Sequence, residues 1–318
     1  MKLAHLENYQ NDLFIGTGGY MIATTDHIIG IDHGGGETFF YKQSIHTPDS
    51  IYRFGRKGQG PNDFIHPFSL QYVSDSLICS YDVRLKRFFE ILLNPDTLPT
   101  VKSLSFDSIL HFLIFKTACR QYVGMGIYPD AMFTLLDSSG VQIKSFAEYP
   151  YKDATERNID NRIRAMAYQG RFGTNLSCTK FVYAASSADI IYFYDIEEND
   201  IRLIKKIENR FAEYVPNQQG TAISAPFKST NMRGYVDLYA TDQYVYLLYS
   251  GRTYSKYKEK MFEANQLRIY DWSGNLRKEM ELDISCKFLC VSPDDSLMWA
   301  IAEIPDPQII RFDLKSVN

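Results

Sequence analysis

The chain has 318 residues and a mass of 36.7 kDa, a length that suits two domains of ordinary size or one closed all-β array. Its 45% hydrophobic and 23% charged residues allow a large core and argue against extensive disorder, and its net charge of −4 argues against nucleic acid or an anionic membrane surface as a partner. Aromatic residues reach 14%, and because aromatic side chains favour half-buried pleated surfaces, the composition favours β-structure.

Cysteine and histidine patterns predict no disulfide framework, no metal site and no cofactor. The five cysteines are scattered without a C-x-x-C pair, and the six histidines have no metal-ligand spacing. Asp26-His27 and Asp32-His33 precede a glycine-rich run, for which a flexible hairpin is favoured over a metal-binding turn. No apolar run approaches the roughly 20 residues of a membrane span, and the first residues lack an apolar signal core. The given sequence therefore predicts a soluble chain, whereas a signal trimmed from it would place the protein in the cell envelope or periplasm.

A short motif recurs along the whole chain, in which an aromatic or aliphatic run ends in an acidic residue or its equivalent. Its six copies are Phe39-Phe40-Tyr41, Phe88-Phe89-Glu90, Leu135-Leu136-Asp137, Phe193-Tyr194-Asp195, Ile269-Tyr270-Asp271 and Arg311-Phe312-Asp313. Their spacing is close to the roughly 40–50 residues of a four-stranded propeller blade, with two insertions.

Two kinds of turn accompany this motif. Asp-x-Ser-Gly follows it at Asp137 and at Asp271, where the carboxylate can cap N–H groups and the glycine accepts positive φ, so it predicts a hairpin between the third and fourth strands of a blade. Acidic turns precede most copies, at residues 25–27, 74–76, 241–243 and 293–296, and predict a hairpin between the first and second strands. The sequence therefore predicts an all-β, six-bladed β-propeller with four-stranded antiparallel blades, formed by residues 1–318 as a single domain.

The chain ends too soon to complete the last blade. After the third strand of blade six only residues 314–318 remain, too few for a fourth strand, and an open edge would leave backbone groups unpaired. We expect the N-terminal segment, around residues 2–9, to supply the missing strand and close the ring.

Two segments interrupt the β pattern. Residues 153–168 are polar and non-alternating, which predicts one or two helical turns in an insertion before blade four. Residues 252–264 are basic and aromatic, which predicts a long loop or a short helix between strands of blade five. Long propeller insertions often build a binding face, although a solvated loop is the simpler interpretation.

Several stretches resemble a known family. Residues 53–67 resemble the G-x-G-x-G-P-x-x-F-x-x-P linker of NHL-type and TolB-like six-bladed propellers, and residues 235–252 and 267–274 are similar to the TolB-like propellers of Bacteroidetes-type bacteria. Residues 164–170 resemble a mid-chain motif of that family, which usually continues with Asn-Pro, whereas Asn175 here is followed by Leu176. The resemblance implies the fold over nearly the whole chain and a family whose members are often exported or lipid-anchored; it implies little chemistry.

Four residues are candidates for ligand binding. Arg56 and Lys57 lie in the glycine-rich linker, which either presents cations and backbone N–H groups to an anion or is simply a tight connection between blades. Arg252 follows a strand of blade five, and its planar guanidinium group could bind a carboxylate, a phosphate or a sugar acid. The alternative is that Arg252 forms a salt bridge to a neighbouring blade. Tyr254 follows it as a loop aromatic.

No catalytic motif is present: the sequence has no G-x-S-x-G elbow, no H-E-x-x-H and no EF-hand loop. We therefore expect a monomeric, non-catalytic binding propeller that holds a peptide, a partner protein or a glycan at the channel mouth or on one face. The alternative is a propeller hydrolase or lyase acting on a sugar or lactone, with channel carboxylates and a histidine brought together from distant strands.

Overall fold

The computed structural model describes residues 2–6, 15–34, 36–93, 99–106, 110–220 and 222–315. Strand β1 (Lys2–Leu3) precedes six antiparallel meanders, whose strands follow in chain order. Blade one comprises β2 (Gly18–Ala23), β3 (His27–Asp32), β4 (Thr38–Ser44) and β5 (Ile51–Arg56). Blade two comprises β6 (Gln71–Ser74), β7 (Leu77–Asp82), β8 (Arg87–Leu92) and β9 (Thr100–Ser105). Blade three comprises β10 (His111–Lys116), β11 (Tyr122–Gly126), β12 (Phe133–Leu136) and β13 (Gln142–Phe146).

The second half of the chain repeats this arrangement. Blade four comprises β14 (Gly170–Thr174), β15 (Lys180–Ala185), β16 (Asp189–Glu197) and β17 (Asp200–Arg210). A separate hairpin follows, formed by β18 (Asn217–Gln219) and β19 (Ala222–Ser224). Blade five comprises β20 (Tyr235–Ala240), β21 (Tyr244–Tyr249), β22 (Ala264–Asp271) and β23 (Leu276–Cys286), and blade six comprises β24 (Phe288–Val291), β25 (Leu297–Glu303) and β26 (Pro307–Asp313).

The blades form a ring with their first strands innermost. Consecutive blades contact each other through these inner strands or, between blades two and three, through β7 and β10, and the inner strands β2 and β24 bring the first blade against the last. The predicted six-bladed propeller is confirmed. The assignment of residues 1–318 to one domain stays a prediction.

The recurring motif marks the third strand of every blade, namely β4, β8, β12, β16, β22 and β26. Its aromatic side chains pack between blades. Phe133 of blade three, for example, lies with its ring centroid 5.6 Å from those of Phe172 and Phe181 of blade four. Aromatic rings of the third strands therefore take part in the packing of blade on blade.

The Asp-x-Ser-Gly turns join third and fourth strands as predicted. The Asp137 carboxylate accepts hydrogen bonds from the N–H groups of Ser139 and Val141, both at 2.9 Å, and Gly140 has φ +85°. Residues 271–275 repeat the arrangement with the same two acceptor distances. Turn chemistry thus fixes the outer hairpin of both blades.

The N-terminal segment closes the ring and also joins blade five. Lys2 and Leu3 pair in parallel with β23, opposite Glu281 and Leu282. His5 then forms an antiparallel bridge with Phe312 of the last blade, and the N–H of Leu6 donates to the Arg311 carbonyl at 2.7 Å. The predicted closure by the N-terminus is confirmed for residues 2–6; residues 7–9 of the predicted strand lie outside the described residues.

A chain that begins at Asp12 is expected to unfold more easily by about 2 kcal/mol or more. It loses the buried side chain of Leu3, whose burial alone is worth about 1.5–3 kcal/mol, and exposes the edge of β26. Calorimetric melting of both proteins measures the change. His5→Ala is the control: it removes only the partly exposed 2.8 Å ion pair with Asp283, worth under about 1 kcal/mol. Equal melting temperatures for the shortened and full-length chains would refute closure by this segment.

Three insertions project from the end of the ring where inner strands begin. Helices α1 (Ala154–Arg157) and α2 (Asn161–Ala167) precede blade four, and the β18–β19 hairpin precedes blade five. Helix α3 (Tyr254–Tyr257) and a 3₁₀ helix (Lys258–Phe262) connect β21 to β22. The helical turns predicted for residues 153–168 are confirmed, and of the two alternatives for residues 252–264, a long loop or a short helix, the structure has short helices; the β18–β19 hairpin was not predicted. None of the helices in the described ranges is long and apolar enough to cross a bilayer.

Candidate ligand site at the channel mouth

A cavity of about 480 Å³, here called the mouth cavity, lies at the end of the ring from which the insertions project. Inner strands, linkers between blades and connections between second and third strands all contribute to its lining. The lining residues are Tyr20, His66, Phe68, Val83, Phe112, Leu113, Met125, Met166, Gln169, Gly170, Arg171, Ser186, Ser187, Phe227 and Arg233. Because they come from blades one to four and the linker to blade five, the cavity lies at the axis of the ring.

Arg171, the second residue of the inner strand of blade four, is held by three other blades. Its Nε donates to the Val236 carbonyl at 2.6 Å, and its Nη1 donates to the Tyr20 hydroxyl at 2.7 Å. The guanidinium lies 4.8 Å from the Tyr20 ring centroid and 5.5 Å from that of Phe288. Its Nε is also 3.6 Å from a carboxylate oxygen of Asp237. These contacts fix the orientation of the charge at the floor of the cavity.

Asp237 is the buried counter-charge beneath Arg171. Its side chain is 1% exposed; one oxygen accepts the Leu289 N–H at 2.9 Å, and the other has no hydrogen bond. Burial raises the pKa of Asp237 to about 6, against the opposing attraction of Arg171. At neutral pH the carboxyl group is therefore mainly ionised and balances one arginine.

Arg233 has no counter-charge among the residues that the structure describes. Its Nε is closed off from solvent and has no hydrogen-bond partner, and among the described residues its guanidinium forms no ion pair. It stacks over the Phe262 ring at 5.3 Å. Burial, reinforced by the positive charge of Arg171, lowers the pKa of Arg233 to about 10, so it stays protonated at neutral pH. A buried charge of this kind is unfavourable unless something pairs with it.

Backbone pairing holds Arg233 in place. Its N–H donates to the Arg252 carbonyl at 2.8 Å, and its carbonyl accepts the Gly251 N–H at 2.9 Å. The linker that carries Arg233 is thereby tied to the insertion of blade five.

The walls of the mouth cavity are mainly apolar. Phe112, Met125 and Met166 contribute, and Phe227 stands at the rim with 43% of its surface exposed. The Ser186 hydroxyl, like that of the neighbouring serine, bonds to no other described side chain or backbone group and is free to meet a ligand. The cavity thus combines mainly apolar walls with two arginines, two serine hydroxyls and the side chains of His66 and Gln169.

Arg56 and Lys57 lie outside the mouth cavity. The Arg56 guanidinium binds both carboxylate oxygens of Asp63 at 3.1 Å, and Gly58 leaves room for that carboxylate, since a Cβ there would lie 2.3 Å from its oxygen. Lys57 Nζ donates to the His33 carbonyl at 3.3 Å. These contacts agree with a tight connection between blades, and a ligand-binding role for either residue stays a prediction.

Arg252 and Tyr254 are also outside the cavity lining. Arg252 donates to the backbone carbonyls of residues 260 and 263 and to the side chains of Asn265 and Ser285, at 2.9–3.3 Å. It therefore braces the insertion of its own blade. Tyr254 is 43% exposed, with the Lys258 amine 5.3 Å from its ring centroid. Ligand binding by this pair likewise stays a prediction.

Sequence reasoning missed Arg171, Arg233 and Asp237, although each left a signal. Arg171 follows Gly170 at the start of the inner strand β14, and Arg233 precedes Gly234 in the linker just before the inner strand β20. Asp237 interrupts the otherwise apolar β20, and a carboxylate in such a run points to a buried charge partner.

No three histidine, cysteine, aspartate or glutamate side chains converge as a metal site anywhere in the described ranges. Asp32, one of the acidic residues considered for a metal-binding turn, accepts hydrogen bonds from the N–H groups of Gly16, Thr17 and Gly34 and pairs with Arg53 at 3.1 Å. Its role is to hold the ends of blade one together.

The six-bladed ring places the chain in the class of β-propeller proteins, and its cavity at the axis carries charged side chains. The model of the TolB-like 6-blade propeller-like family matches residues 5–294, so the chain belongs to that family. Among curated proteins, no sequence matches.

Solved structures share the fold at low identity. A putative exported protein from Bacteroides fragilis has a TM-score of 0.54 at 10% identity, over 98% of this chain and 99% of that one. The Cps50 (Swd1) β-propeller domain from Myceliophteria thermophila has a TM-score of 0.53 at 10% identity, over 97% and 99%. U3-55K has a TM-score of 0.53 at 11% identity, over 98% of each chain.

Proposed function

We propose that this protein is a non-catalytic binding propeller that holds a peptide, a partner protein or a glycan in the mouth cavity. The observation that carries the proposal is Arg233, a mostly buried cation that pairs with no acidic side chain of the described residues and lies in the wall of a largely apolar axial cavity. Concave apolar sites with a few convergent polar groups are where proteins bind small ligands and chain ends. The insertion braced by Arg252 stands beside this opening and can present Tyr254 to a larger partner.

A hydrolase or lyase acting on a sugar or lactone is the second candidate, and the cavity favours it less. Such chemistry generally uses a pair of carboxyl groups, or a carboxylate with a histidine, within reach of the substrate. The lining residues include His66 and Tyr20 but no carboxyl group, and the nearby Asp237 lies beneath Arg171. Binding therefore ranks ahead of catalysis.

Ser186→Trp is expected to abolish ligand binding by filling the cavity. Ser186 lines the cavity and its hydroxyl is unpartnered in the described structure, so an indole there occupies ligand volume without breaking a bond. Labelled protein on peptide and glycan arrays provides the measurement, with Ser138→Trp in an exposed hairpin turn of blade three as the matched control. Array spots that bind the wild type and the control variant but do not bind Ser186→Trp support the mouth cavity as the binding site. Equal binding by both variants, or no spots for the wild type, refutes it.

A further inference from the structure

Resting on the proposed function, we propose that the mouth cavity recognises its ligand through a carboxylate that pairs with Arg233, while an apolar group attached to that carboxylate fills the cavity.

The charges at the cavity match a single negative charge. Arg171 and Arg233 contribute two positive charges and Asp237 one negative charge, so 2 − 1 = 1 positive charge remains. Arg171 already donates hydrogen bonds from its Nε to the Val236 carbonyl and from its Nη1 to the Tyr20 hydroxyl. The unused donors of Arg233 form a planar fork that fits the two oxygens of a carboxylate.

The walls match an apolar body. Phe112, Met125 and Met166 surround a volume of about 480 Å³, which lies within the roughly 300–1,000 Å³ of small-ligand sites. Methionine side chains adapt to ligands of different shape, so the walls favour an apolar group without selecting one outline. The Ser186 hydroxyl can bond a carbonyl or amide next to the carboxylate.

A phosphate group fits these features less well. Near neutral pH it carries close to two negative charges and presents three oxygens, and proteins commonly meet it with several backbone N–H groups at a helix start or a nest. Besides Arg233, whose charge no described acidic group balances, the cavity offers the Ser186 and Ser187 hydroxyls and the side chains of His66 and Gln169, and no helix of the described residues begins at Arg233. A carboxylate, either at the C-terminus of a peptide or on a free organic acid, is the better match.

Isothermal titration calorimetry of the full-length protein tests the proposal. The probes are a pentapeptide that ends in phenylalanine with a free carboxylate, the same peptide as its C-terminal amide, 3-phenylpropionate, 3-phenylpropanamide and phenyl phosphate. We expect at least one acid to bind at least tenfold more tightly than its amide. Binding of the peptide acid alone identifies a chain terminus as the ligand, and binding of both acids identifies a free organic acid as sufficient.

Variants locate the interaction. Arg233→Met is expected to weaken acid binding at least tenfold and to leave amide binding unchanged, which removes the preference for the acid. Arg277→Met, at an arginine of the outer strand that is 59% exposed, is the control and should retain the preference. Arg233→Lys keeps the charge without the fork and should bind the acids at an intermediate level, which also keeps the test valid if Arg233→Met does not fold.

Opposite results overturn the proposal in distinguishable ways. Equal affinity for acid and amide, unchanged acid binding by Arg233→Met, or tighter binding of phenyl phosphate than of both acids rules out carboxylate recognition. If neither acid binds, but array spots that bind the wild type do not bind Ser186→Trp, carboxylate recognition is refuted and the proposed function stands. If neither the acids nor any array spot binds, both fall.

Discussion

Raising the pH from 4 to 8 is expected to destabilise the wild-type protein by about 2.5 kcal/mol relative to the Asp237→Asn variant. Burial raises the pKa of Asp237 from its ordinary 3.8 to about 6, and each pKa unit corresponds to about 1.4 kcal/mol. A folded-state pKa above the unfolded value means that the folded protein holds the proton more tightly. The stabilisation is complete below pH 3.8 and is lost as the pH rises through 6.

Urea unfolding of both proteins at intervals from pH 4 to pH 8 measures this effect, because the difference between the two curves cancels every other titrating group. Asp200→Asn is the control: a hydrogen bond from Lys144 lowers the pKa of Asp200, the opposite direction to that of Asp237, so this carboxyl group contributes no loss of stability as the pH rises. Its profile should run parallel to that of the wild type. A parallel profile for Asp237→Asn would show that Asp237 is not the buried, destabilised carboxylate described above.

The same carboxylate explains how two arginines can share one cavity. Without Asp237, the charges of Arg171 and Arg233 would repel each other in a poorly solvated site, an effect already visible in the lowered pKa of Arg233. Asp237 fixes and neutralises the deeper arginine and leaves the outer one for a ligand. The stability lost at neutral pH is therefore consistent with a preorganised binding site.

The fold could be predicted because its determinants are local in sequence. The third strand of each blade carries its own aromatic or aliphatic run, followed by an acidic residue in every blade but the first, and turns such as Asp137 with Gly140 set a hairpin within a few residues. Even the closure by the N-terminus followed from counting strands. What the count could not give is that Leu3 pairs with blade five before His5 reaches blade six.

The site could not be predicted in the same way, since it depends on groups that only the closed ring brings together. Arg171 meets Tyr20 of blade one and Asp237 of blade five, and no pattern in the sequence relates these positions. Arg252 shows the same limit: its charge suggested a ligand, which stays a prediction, but the sequence did not show that its donors also bind nearby carbonyls and Ser285. The sequence shows which side chains are charged, but it does not show whether the folded chain gives each of them a hydrogen-bond or ion-pair partner.

Gly234→Ala is expected to destabilise the ring by more than about 4 kcal/mol, or to prevent it from forming, because the added methyl group has no space. An ideal Cβ at Gly234 would lie 1.9 Å from the Ala188 carbonyl oxygen and 2.6 Å from that of Ala185. Both are backbone atoms of blade four and cannot rotate away. Gly234 itself cannot shift, since its N–H donates to the Ser186 carbonyl and its carbonyl accepts the Ser250 N–H, both at 2.9 Å.

Gly36→Ala is the matched control. Gly36 has φ +64°, but a Cβ there would meet no atom within 4 Å, so the variant bears only the left-handed backbone penalty of about 1–2 kcal/mol. Soluble yield and thermal melting of the two variants measure the difference. If Gly234→Ala melts within a few degrees of Gly36→Ala, blades four and five do not meet as closely as described. The backbone contact that places Arg233 beside the mouth cavity would then be wrong as well, because Gly234 is the next residue in the chain and shares that linker.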